Sequence, residues 1–104
     1  MTEKRVCIDF ASPAIFAAEY FDRLKEAVYG VSCNLWIRHK TRIRINKEGE
    51  YLVVLTLQIP DDSAESFSFG RHLRGIAQYL LRDYPEEFEQ YRVGNRLLVY
   101  KELT

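Results

Sequence analysis

Trp36, Arg38, Lys40, Arg42 and Arg44 occupy every second position of one stretch, and no carboxylate falls among them. On an extended chain, alternate side chains project to the same side, with neighbours about 7 Å apart. Such a row suits the backbone of a single-stranded nucleic acid, the cations meeting phosphates and Trp36 stacking on a base. The same row also fits a solvated sheet edge, because charged edge strands resist pairing with another edge. The following stretch, Tyr51-Leu52-Val53-Val54-Leu55-Thr56-Leu57, lacks the aromatic and glycine pattern of RNA-recognition strands.

The inventory for catalysis is thin. His39 and His72 stand apart in the chain, each without a nucleophile or an orienting carboxylate nearby in sequence. Asp9 is at most a lone general base. Gly70 and Gly75 are five apart within one helical stretch and lack the strand and lysine of a phosphate-cradling loop. Cys7 and Cys33 fall in two expected strands and read as free, buried or half-buried thiols in a reducing cytoplasm. No Cys-x-x-Cys or His-x-x-x-His spacing joins them to a metal site, so the expectation is no metal and no cofactor.

Fifteen Lys and Arg against fifteen Asp and Glu leave zero formal charge, so any electrostatic recognition must be local. A chain of 104 residues that is 47% hydrophobic can bury one real core, which excludes a disordered or fibrous protein and sets the expectation of one domain over residues 1–104. The N-terminal Met1-Thr2-Glu3-Lys4-Arg5 opens no signal-peptide pattern, and the apolar run Tyr51 to Leu57 is far short of a membrane span. A cytoplasmic protein without a membrane partner is expected.

The elements that must position these residues follow from periodicity. Val6, Ile8 and Phe10 alternate with Arg5, Cys7 and Asp9, which predicts a half-buried strand over 4–10. Ser12 and Pro13 open a helix over about 13–29 that Gly30 would close. From Val31 to Asn46 the period is two, and Lys47-Glu48-Gly49 then turns the chain into a strand over Tyr51–Ile59. With Asn46 facing Glu50, the register sets Ile45 opposite Tyr51, Ile43 opposite Val53, His39 opposite Leu57 and Ile37 opposite Ile59.

Beyond Pro60, the stripe Phe69, Leu73, Ile76, Ala77, Leu80 and Tyr84 predicts a second helix that stops before Pro85. Residues 86–91 read as a short helix or a strand, and periodicity does not separate the two. Gly94-Asn95 marks a hairpin between Tyr91-Arg92-Val93 and Arg96 to Tyr100, which would add a short C-terminal strand.

The expected class is α+β, a two-layer sandwich of order βαββαβ (ferredoxin-like, split βαβ) with an antiparallel sheet and two helices on one face. Function is then expected on the uncovered face, where Leu52 and Val54 form an apolar strip beside Arg38, Lys40, Arg42 and Arg44, with Trp36 at its end. Apolar contact rimmed by cations is how many interfaces are built, so association with itself or another protein leads. Single-stranded nucleic-acid binding through the same stripe is the alternative, and an enzyme with its site between subunits the third.

Overall fold

The computed structural model describes residues 1–10, 18–34 and 37–103. Its elements are β1 (Thr2–Asp9), α1 (Phe21–Asn34), β2 (Arg38–Ile45), β3 (Tyr51–Ile59), α2 (Phe69–Asp83), α3 (Pro85–Phe88), a 3-10 turn (Glu89–Tyr91) and β4 (Val99–Leu103). The strands form one antiparallel sheet in the order β2-β3-β1-β4, so the protein is α+β with an open four-stranded sheet.

Alternation in the strands decides which side faces the helices. Val6 and Ile8 of β1 and Val53, Leu55, Leu57 and Ile59 of β3 are buried against Leu24, Ala27 and Val28 of α1 and Leu73, Ile76 and Leu80 of α2. The next residues along each strand project from the opposite face, which no described helix covers.

The β2–β3 hairpin has the expected register, with Ile45 opposite Tyr51, Ile43 opposite Val53 and His39 opposite Leu57. Asn46 fixes the turn. Its backbone N–H donates to the Glu50 carbonyl at 2.9 Å, and its side-chain Oδ1 accepts from the N–H groups of Glu48 and Glu50 at 3.0 and 2.9 Å. Gly49 takes a φ of 79°, a value that side chains resist. The ladder begins at Arg38–Gln58, so Ile37 stands outside it, its N–H donating to the Ser32 carbonyl at 3.1 Å.

The first helix differs from expectation. It runs through Gly30 to Asn34, so Val31, Ser32 and Cys33 are helical and not part of a strand, and Cys33 is exposed. The reason is tertiary. A Cβ on Gly30 would come within 3.2 Å of the Tyr79 ring, Val31 lies against Gly75, and Ser32 is sealed against His72 of α2. The helical stripe Leu24, Ala27, Val28 therefore continues past the glycine, and glycine serves close approach instead of termination. The proposed helix start at Ser12 and Pro13 lies outside the described residues.

α2 starts at Phe69, with the Ser68 Oγ accepting from the Arg71 N–H at 3.3 Å, and ends as expected before Pro85. Residues 85–91 are helical: α3 buries Phe88 completely, its ring 5.4 Å from Tyr20 and 6.3 Å from Phe10 and Tyr84. The expected C-terminal hairpin shrinks to one bridge, Val93 with Arg96, around Gly94-Asn95. Leu97 and Leu98 then turn into the core at 2% and 7% exposure, so the last strand starts at Val99 and pairs with β1.

Candidate functional site

The uncovered face is built in rows across the sheet. One row reads Arg42, Val54, Cys7, Lys101; the next reads Lys40, Thr56, Arg5, Leu103; a third reads Arg38, Gln58, Glu3; Arg44 stands opposite Leu52. Because β2 is an edge strand, its cations form one border of the face and Lys101 on β4 stands on the other. Arg38, Lys40, Arg42 and Arg44 are all exposed, and none pairs with a carboxylate of the described residues.

The carboxylates of this face are Glu3 and Asp9. Glu3 is engaged by its own neighbours, accepting from Gln58 Nε2 at 2.9 Å and lying 3.7 Å from Arg5 Nε. That leaves the β2 border as a continuous line of positive charge. Cys7 sits inside the face. Burial pushes its thiol up, Arg44 draws it down, Asp9 raises it and Lys101 lowers it, with a net rise. A thiol so placed stays protonated near neutrality and is a poor nucleophile.

Of the expected apolar strip, Leu52 is half-buried, but Val54 is already only 2% exposed within the chain. Val54 lies between Arg42 and Cys7 in its row, where the aliphatic stem of an arginine can cover a neighbour. It therefore offers little surface to a partner. Trp36 lies outside the described residues. The structure thus brings Arg38, Lys40, Arg42 and Arg44 together as a row and adds Arg5 and Lys101, which the stripe alone did not include.

The histidines are arranged for packing. His72 is 4% exposed and Ser32 fully buried, with Nε2 and Oγ 3.3 Å apart, and the His72 Nδ1 has no hydrogen-bond partner among the described residues. Burial, with His39 as a second cause, holds the His72 pKa down at about 4. His39 is half-buried with its ring 6.0 Å from that of Tyr29, and burial lowers its pKa too. A hydroxyl beside a neutral imidazole could form a nucleophile–base pair, but no substrate reaches a fully buried Ser32. Among the described residues, no group of three or more His, Cys, Asp or Glu is placed to hold a metal ion. No described helix is long and apolar enough to cross a membrane.

Comparison with known proteins yields no matching family model, no matching curated protein and no matching solved structure.

Proposed function

We propose that the protein is a non-enzymatic binding domain that holds a single-stranded nucleic acid along the β2 border of its open sheet face. The observation that carries this reading is the row Arg38, Lys40, Arg42, Arg44, exposed on one face and unpaired with any described carboxylate. Spacing of about 7 Å between successive cations follows an extended phosphodiester chain, and unpaired cations cost nothing to withdraw from internal partners. The buried Val54 favours this reading over the protein-association one, because the strip meant to anchor a partner is largely covered.

Association with itself or another protein is the second reading. It is favoured by Ile45 and Tyr51, cross-strand partners 61% and 39% exposed at the end of the hairpin. For the architecture we propose the ferredoxin-like, split βαβ arrangement, supported by β1 lying between β3 and β4 while an element order of strand, helix, two strands, helices and strand surrounds it. A cytoplasmic setting is supported by Cys7 and Cys33 being free thiols on separate elements.

The test is fluorescence anisotropy of a labelled single-stranded DNA oligonucleotide at low salt, with the double variant Arg38→Glu, Arg42→Glu beside the parent protein. The parent binds and the variant loses affinity for every sequence alike, since phosphate contacts position without reading bases. An absence of binding by the parent at low salt overturns the reading.

A further inference from the structure

On the other layer of the molecule, a groove of about 620 Å³ runs between α2 and the Arg92–Leu98 segment. Its floor is apolar: Leu73, Ala77 and Leu81 from the helix meet Leu97 and Leu98 from the segment. Its rim carries Arg74, Arg92 and Arg96, and no carboxylate lines it among the described residues.

Each arginine is placed by a different device. Arg74 is an exposed position of α2, one residue past the buried Leu73. Arg96 closes the two-residue turn at Gly94-Asn95, where its N–H donates to the Val93 carbonyl at 3.0 Å and its carbonyl accepts from the Val93 N–H at 2.8 Å. Arg92 lies 3.4 Å from Glu89, which anchors it, while Arg74 and Arg96 have no ion-pair partner among the described residues. Gln78, Asn95 and the Tyr100 hydroxyl add neutral hydrogen-bonding groups. Glycine at position 70 keeps the Tyr100 end open, because a Cβ there would stand 3.1 Å from that hydroxyl.

We infer that this groove is a binding site for a small organic phosphate: the arginines take the phosphate and the leucine floor takes an apolar or aromatic body. The guanidinium fork matches phosphate oxygens in pairs, which makes arginine the residue suited to this recognition. The volume falls in the range of small-molecule sites, and an apolar floor beside polar and cationic groups suits a ligand that is itself part apolar and part anionic. The site is separate from the β2 border and does not depend on nucleic-acid binding there.

Adenosine monophosphate, hexyl phosphate and inorganic phosphate are each titrated into the full chain, read by backbone amide NMR shifts at Ala77 and Leu97 and by calorimetry. At least one of the two organic phosphates binds saturably and more tightly than inorganic phosphate, and which one identifies the body as a flat base or an alkyl chain. Arg74→Gln and Arg96→Gln each weaken that binding about tenfold or more, with folding checked by the unchanged dispersion of the remaining resonances. Arg38→Glu with Arg42→Glu leaves it in place, which separates this site from the sheet face. Binding no tighter than that of inorganic phosphate, no binding, or indifference to both arginine variants overturns the inference.

Discussion

The Ser32 hydroxyl and the His72 imidazole lie 3.3 Å apart across the contact between α1 and α2, both shut away from water. This pair joins the two helices by a polar contact inside an apolar layer, and burial, with His39 as a second cause, keeps His72 neutral in the folded protein, with a pKa of about 4.

Stability therefore depends on pH. Unfolding restores the histidine to its ordinary value of 6.5, so between pH 6.5 and about 4 the unfolded chain binds a proton that the folded chain refuses. The contribution is complete above that window and is lost as pH falls through it, to a total on the order of 3 kcal/mol. Urea denaturation at pH 7.5 and pH 4.5 should show the loss in the parent. A His72→Gln variant should show a clearly smaller one, while His39→Gln keeps the larger part. An identical pH dependence in His72→Gln would remove His72 as its source.

Phe88 anchors the short helix α3 among Phe10, Tyr20 and Tyr84, and its side chain is fully buried. Phe88→Ala should cost roughly 3–5 kcal/mol in chemical denaturation, the loss expected for emptying a large core site. A loss under about 1 kcal/mol would mean that the segment after Pro85 contributes little to the core.

Asn46 holds the β2–β3 turn through two backbone N–H groups. Asn46→Ala should lower stability by about 1–2 kcal/mol and increase hydrogen exchange at Glu48 and Glu50. Unchanged exchange at both amides would show that the turn is set by Gly49 alone.

The hairpin was legible in the sequence because two independent signals, the glycine turn and the match of apolar residues across the pair, Ile45 with Tyr51 and Ile43 with Val53, agree on one register. The end of α1 was not legible. Val31, Cys33, Leu35 and Ile37 alternate as a strand would, while Val28, Val31 and Ser32 also continue a helical stripe. The choice falls to contacts with Tyr79, Gly75 and His72, more than 35 residues away in sequence. Val54 was assigned correctly to the uncovered face by parity, yet its burial depends on how neighbouring side chains lie across it. The arginine groove was invisible for a similar reason, since Arg74 and Arg96 come from separate elements and meet only through the packing of Leu97 and Leu98 against α2.

The central claim, that the β2 cations track a phosphate backbone, is tested most directly by the salt dependence of oligonucleotide affinity. With four phosphate contacts on a single strand, the logarithm of the binding constant should fall against the logarithm of salt concentration with a slope of about −3. Arg42→Gln should make that slope shallower by about 0.7 and weaken binding equally for oligonucleotides of different sequence. A slope near zero in the parent, or one that Arg42→Gln leaves unchanged, would contradict the account.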